Sequence, residues 1–189
     1  MYGLVNIAIR DLILGQHGEE TWDRIRERAG VRSTTFVAME TYPDEVTYGL
    51  VAAASEELGA PQEALLEAFG EYWMTFTAEE GYGDTLEFAG STLDEFLAHL
   101  DDMHARVALT FPDLCPPSFE AEYAPDGRLA VRYRSDRPGL APMVVGLLHG
   151  LARRFDKHID IERVPSQVEV GADETFLLRI SDASGAQAA

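Results

Sequence analysis

The chain has 189 residues, 46% of them apolar and 10% aromatic, enough for one domain with a hydrophobic core. A net charge of -18 argues against nucleic acid and anionic membrane surfaces as partners and suits a basic patch on another protein. The single cysteine, Cys115, excludes an internal disulfide framework and a cysteine-based zinc cluster, which leaves it the role of a small packing residue.

The first ten residues lack the basic region of a signal peptide, and Asn6 and Arg10 break their apolar run. No stretch approaches the roughly 20 apolar residues of a membrane span, so the protein reads as cytoplasmic. Met1–Leu14, with Leu4, Val5, Ile7, Ala8, Leu12 and Ile13, predicts a first helix interrupted near Gly15. Glu19–Ala29 is a second helix that buries Trp22 and Ile25 and stops at Gly30. Residues 31–42 are irregular. Asp44–Leu58 turns Val46, Leu50, Val51 and Ala54 inward and ends at Gly59. Pro61 opens the next helix, which carries Leu65, Leu66, Phe69, Tyr72, Trp73 and Phe76 until Gly81-Tyr82-Gly83 breaks it. A short segment, Asp84–Phe88, follows.

Thr92 and Glu95 have capping-box spacing, so a helix starts near Ser91 or Thr92. Leu93, Phe96, Leu97, Leu100, Met103 and Val107 define its apolar face, and His104 falls on that face, with Asp94, Asp101, Asp102 and Arg106 elsewhere. The helix gives way to the rigid pair Pro116-Pro117. Beyond it the pattern changes to a hairpin, with Ser118–Tyr123 and Leu129–Arg137 alternating around the turn Pro125-Asp126-Gly127. A helix from Ala141 to Phe155 carries Met143, Val144, Leu147, Leu148, Leu151 and Phe155. Its Gly146 and Gly150 admit either a sheet or a flat ligand at close range. Ile159–Val164 and Glu174–Ile180 form a second strand pair joined around Gly171. The expectation is α+β: a helical N-terminal half, then a C-terminal four-stranded antiparallel sheet with a crossing helix. It is one domain over 1–182, with a helical subdomain over about residues 1–60 and a flexible tail at 183–189.

Two stretches carry chemistry. A histidine turned into an apolar interior needs a partner for each ring nitrogen. A carbonyl or hydroxyl is the ordinary partner, and a metal, haem iron foremost, is the alternative. His17, His99, His149 and His158 sit in less enclosed contexts. The strand Leu129–Arg137 places Tyr133, Ser135 and Arg137 on the face that starts apolar. A phenol, a hydroxyl and a guanidinium in a row can hold carboxylates or phosphates, or can simply mark a strand end emerging into solvent.

Taken together, His104 on a helix followed by Pro116-Pro117, and then Tyr133-x-Ser135-x-Arg137, resemble the haem nitric-oxide/oxygen binding (H-NOX) family, the sensor module of soluble guanylate cyclase and of stand-alone bacterial relatives. The resemblance runs from Met1 to about Ile180, and Phe69-Gly-Glu-Tyr-Trp73 and Gly139–Gly150 look like the cyclase-type branch. It implies haem b (iron protoporphyrin IX) between the helical half and the sheet half. It makes His104 the proximal iron ligand, Tyr133, Ser135 and Arg137 the holders of the propionates, and Pro117 a residue pressing on the haem plane. The distal gas pocket falls to Val5, Ile9, Trp73, Met143 and Leu147. Oxygen-binding members place a tyrosine early in the helix after Tyr-x-Ser-x-Arg; here Met143 occupies that region. The implied ligands are therefore nitric oxide and carbon monoxide, with oxygen excluded. Trp73 brings an indole N–H, although packing is the commoner use of that ring.

The mechanism the resemblance implies is loss of the iron–His104 bond on nitric oxide binding, release of the His104 helix and relaxation against Pro117. The signal passes to a separate effector, a histidine kinase or a cyclic-di-nucleotide signalling enzyme on another chain. The chain itself is not an enzyme on this reading. Two rivals stand beside it. A peroxidase-like haem enzyme needs a distal acid or base that the apolar wall does not offer. A haem-free interaction domain would use His104 as a core residue and the Tyr-Ser-Arg row for a phosphate or protein carboxylate.

Overall fold

A computed structural model describes residues 1–77, 83, 86, 89–165 (without the Pro165 side chain) and 173–183. Most of the Gly81–Gly83 break and the Asp84–Phe88 segment, the turn at Gly171 and the tail from Ser184 lie outside the described residues. Seven helices and four strands are described: α1 (Gly3–His17), α2 (Glu19–Arg28), α3 (Asp44–Leu58), α4 (Gln62–Thr77), α5 (Leu93–Ala98), α6 (Leu100–Ala108), β1 (Ser118–Tyr123), β2 (Leu129–Arg134), α7 (Ala141–Arg154), β3 (Lys157–Pro165) and β4 (Glu174–Asp182). The strands form one antiparallel sheet in the order β1-β2-β4-β3. The expected α+β arrangement, helices first and a four-stranded sheet with a crossing helix second, is the arrangement found.

The apolar pattern sorts into two cores. Ile9, Ile13, Trp22, Ile25, Leu50, Phe69 and Phe76 are the centre of the helical core among α1–α4. Leu93, Phe96, Leu97, Val131, Tyr133, Leu148, Phe176 and Leu178 are the centre of the core between α5, α7 and the sheet. The cores meet where α4 crosses α7: Met143 of α7 packs into the helical core, and Met74 of α4 packs into the sheet core.

That crossing corrects the reading of Gly146 and Gly150. What lies against them is neither the sheet nor a flat ligand but α4. A β-carbon on Gly146 would stand 1.9 Å from the Glu67 carbonyl oxygen, and one on Gly70 would stand 2.1 Å from that of Met143. Gly150 faces Met74, with 3.0 Å to its Cγ.

Three boundaries also differ from expectation. α1 runs through Gly15 to His17 and ends at Gly18, whose φ of +80° a glycine adopts without strain. The His104 helix is two helices broken at His99, which has φ -108° and ψ 12°. The Thr92 hydroxyl accepts the Glu95 N–H as the capping spacing required, and the Glu95 carboxylate reaches back to the Ser91 N–H and hydroxyl. Leu93, Phe96 and Leu97 of α5 are buried, but α6 buries no residue fully, so the single continuous buried face is not formed. Finally, β2 stops at Arg134 rather than Arg137. Its partners run out there: Ser118 pairs with Arg134 just after Pro116-Pro117, Glu174 pairs with Tyr133, and Pro138 has no N–H to donate.

Candidate functional site

His104 sits on α6, half-buried, with its ring 6.0 Å from that of Phe119. Burial lowers the pKa of the imidazole below the usual histidine range, and the Asp101 carboxylate and the Pro117 backbone only partly oppose this. The shift favours the neutral ring, the form that has a lone pair to donate. Its Nδ1 is buried and accepts or donates no hydrogen bond of adequate geometry, although the Pro117 backbone is close enough to act on the ring. With Nδ1 buried and the Pro117 backbone beside the ring, Nε2 is the nitrogen left to meet a metal.

A row of aromatic rings links this histidine to the Tyr-Ser-Arg row. Phe119 lies 5.4 Å from Tyr133, and Tyr133 lies 6.3 Å from Phe176. The Asp101 carboxylate accepts the Phe119 N–H at 2.8 Å, which ties α6 to the first turn of β1. Tyr133 is 3% exposed on the inner face of β2. Burial raises its pKa, and the neighbouring Ser135 hydroxyl works in the opposite direction. Ser135 is itself buried and accepts the Arg137 N–H at 3.1 Å. The Arg137 guanidinium donates from Nε to Asp44 at 2.7 Å and from Nη1 to the Cys115 carbonyl at 2.8 Å. So the row does not emerge into solvent as a loose strand end. Tyr133 and Ser135 are enclosed, and Arg137 is already gripping a carboxylate.

Asp44 was not legible as a site residue, because a first-turn acid on a helix is ordinarily explained by the helix dipole. Burial tends to raise its pKa, but hydrogen bonds from the N-terminal ammonium and from Arg137 outweigh this and hold it below the usual carboxylate range. Tyr48, one turn later on α3, donates its hydroxyl to the Pro138 carbonyl at 3.0 Å. Asp101 and Phe119 were missed as well. The only available signal for Asp101 was its position three residues before His104, one helical turn away.

Val5, Ile9, Trp73 and Met143, from three helices, come together in the helical core with Phe69 and Phe76. Leu147 is half-buried and belongs to neither core cluster; its backbone nitrogen faces Gly70. Pro117 is half-buried beside His104. Cys115 is exposed. Among the described residues no group of three or more His, Cys, Asp or Glu side chains could hold a metal ion. A metal that arrives inside a porphyrin needs only one protein nitrogen, and an imidazole favoured in its neutral form fits that requirement. The phenol, hydroxyl and guanidinium fit the carboxylates of the same group. No described helix is long and apolar enough to cross a membrane.

The family model described as Haem-NO-binding matches residues 2–163. The chain belongs to this Haem-NO-binding, or H-NOX, family. Among curated relatives, soluble guanylate cyclase gcy-32 of Caenorhabditis elegans is 33% identical over 165 residues, 85% of this chain and 24% of that protein. Guanylate cyclase soluble subunit beta-2 of Rattus norvegicus is 39% identical over 93 residues, 49% of this chain and 14% of that protein. The chain thus spans about a quarter or less of the cyclases it matches. The fold matches the H-NOX protein of S. oneidensis in the Fe(II)NO state, with a TM-score of 0.85 at 20% identity over 96% of this chain and all of that one. It also matches the unliganded Fe(II) H-NOX protein of K. algicida, with a TM-score of 0.82 at 21% identity over 96% of this chain and 97% of that one.

Proposed function

We propose that the chain is a haem-based sensor of nitric oxide and carbon monoxide that excludes oxygen and passes its state to a separate effector. The observation that carries this reading is the neutral-favouring His104 imidazole, its Nδ1 buried and the Pro117 backbone beside the ring, linked through Phe119 to the enclosed Tyr133–Ser135–Arg137 row. Haem, when bound, supplies the iron that takes the gas. His104 would hold that iron, Tyr133, Ser135 and Arg137 would hold the propionates, and Pro117, beside His104, would bound the site.

Selectivity follows from the distal wall. Bound oxygen develops negative charge and needs a hydrogen-bond donor, whereas nitric oxide and carbon monoxide need little such help. Val5, Ile9, Phe69 and Met143 have no polar side-chain hydrogen. Thr77, one turn beyond Trp73, is buried, but its hydroxyl already donates to the Trp73 carbonyl at 2.8 Å. The buried Asn6 oxygen accepts the Thr47 hydroxyl of α3 at 2.7 Å, and its amide nitrogen is buried without a hydrogen-bond partner. The Trp73 indole packs among Phe69 and Phe76.

Signalling uses the loosely held α6. A helix that buries no residue fully has few apolar contacts to lose when its histidine is released. Asp101 transmits its movement to β1 through the Phe119 N–H, giving two arrangements whose balance the gas shifts. No catalytic role is assigned to the chain. The effector is a histidine kinase or a cyclic-di-nucleotide enzyme on another chain. His104→Gly tests the reading: that variant, loaded with haem with the help of free imidazole, has no link from α6 to the haem and should show the output of the nitric oxide state without nitric oxide. Retention of the unliganded output by a haem-loaded His104→Gly protein would refute the mechanism.

A further inference from the structure

α6 buries no residue fully, so its position depends on what holds its two ends. The downstream end continues past Ala108: Phe111 donates its N–H to the Val107 carbonyl at 3.1 Å, and its ring is 3% exposed. That ring meets Tyr2 edge-on, at 4.9 Å and 81°. The Tyr2 hydroxyl accepts the Asp113 N–H at 3.0 Å, across 111 residues of sequence. Two residues further on, the Cys115 carbonyl is held by Arg137. The strap Phe111–Cys115 is therefore pinned at one end by the residue that leads into α1 and at the other by the Tyr-Ser-Arg row.

Tyr2 has little freedom to follow the strap. It is 7% exposed and pairs with Thr41, and the next residue is locked. Gly3 donates its N–H to Glu40 at 2.8 Å, and a β-carbon there would stand 2.1 Å from the Val37 carbonyl oxygen. α1, which starts at this anchor, also carries Val5 and Ile9.

We propose that Tyr2 is a positioning residue for His104: it tethers the strap after the His104 helix to the helix that bears Val5 and Ile9. The tether resists displacement of α6 and so sets how readily His104 leaves its resting place. The proposal rests on the gas-site reading and names a control point within it.

Tyr2→Phe removes the acceptor for the Asp113 N–H and keeps the ring on Phe111; Tyr2→Leu removes both. Tyr42→Phe is the control, because the Tyr42 hydroxyl also accepts a backbone N–H, that of Val37 at 3.0 Å, but does not touch the strap. The measurements are amide hydrogen exchange over residues 104–113 and the rate at which the absorption spectrum of the haem-loaded protein reaches its final form after nitric oxide is added. In Tyr2→Phe both should rise by roughly three- to tenfold, the range that one backbone hydrogen bond spans. Tyr2→Leu should exceed that, and Tyr42→Phe should change neither. Haem-loaded Tyr2→Phe and Tyr2→Leu proteins with unaltered exchange and spectral rates would overturn the proposal alone. Failure of the unaltered protein to take up haem would overturn the gas-site reading, and the proposal with it.

Discussion

At the scale of single residues, the site is held by charge-assisted bonds whose loss has a direction. Arg137 donates to both Asp44 and the Cys115 carbonyl and is the only one of the three proposed propionate partners with a fixed charge. Arg137→Ala should weaken haem retention by about 1.5–3 kcal/mol, the range for a hydrogen bond to a charged group. Transfer of haem to a scavenging apoprotein measures this, and an unchanged transfer rate would show that Arg137 is occupied by Asp44 alone. Asp44 also gives a pH signature. Its folded pKa is depressed, so the stability it contributes is present above its unfolded value of about 3.9 and is lost as pH falls through the folded value. Asp44→Asn should therefore flatten the acid limb of the denaturation midpoint below about pH 4 and leave the profile near neutrality parallel. His104, Tyr133, Ser135 and Arg137 could be singled out by residue type and spacing, and their proposed roles come from the family resemblance. Asp44 could not be singled out, because its partner stands 93 residues away and only folding brings them together.

At the scale of elements, the α4–α7 crossing depends on two backbones in contact. Gly146→Ala would place a methyl 1.9 Å from the Glu67 carbonyl oxygen, and neither backbone can yield without separating the helices. It should cost about 1–3 kcal/mol or more, as overpacking does. Gly15→Ala, which meets nothing within 4 Å, should be neutral or stabilising by up to about 1 kcal/mol. Urea denaturation midpoints of the two variants should therefore move in opposite directions; equal shifts would contradict the close crossing. Helix and strand positions were largely readable from periodicity, and the Thr92–Glu95 cap from its spacing. The break at His99 was not readable, because Leu93 to Val107 keeps one apolar period across it. The partner of Gly146 was not readable either, since a glycine pair announces a close approach without saying to what.

At the scale of the whole molecule, two cores joined at one helix crossing leave α6 at their margin, held by Asp101, by the His104–Phe119 contact and by the strap beyond it. The fold class was legible because the apolar period turns from that of helices to that of strands at Pro116-Pro117 and returns to the helical one only over α7. The contact of Tyr2 with Phe111 and Asp113 was not, because it joins residues at the two ends of the stretch before those prolines.

The most direct test of the central claim is the absorption spectrum of the reduced protein, first in air and then with nitric oxide. The reduced protein should show a haem spectrum that air leaves unchanged and that nitric oxide converts to a five-coordinate form, with His104 no longer a ligand. A stable oxygen complex would contradict the donor-poor distal wall, and a colourless protein would return His104 to the role of an ordinary core residue.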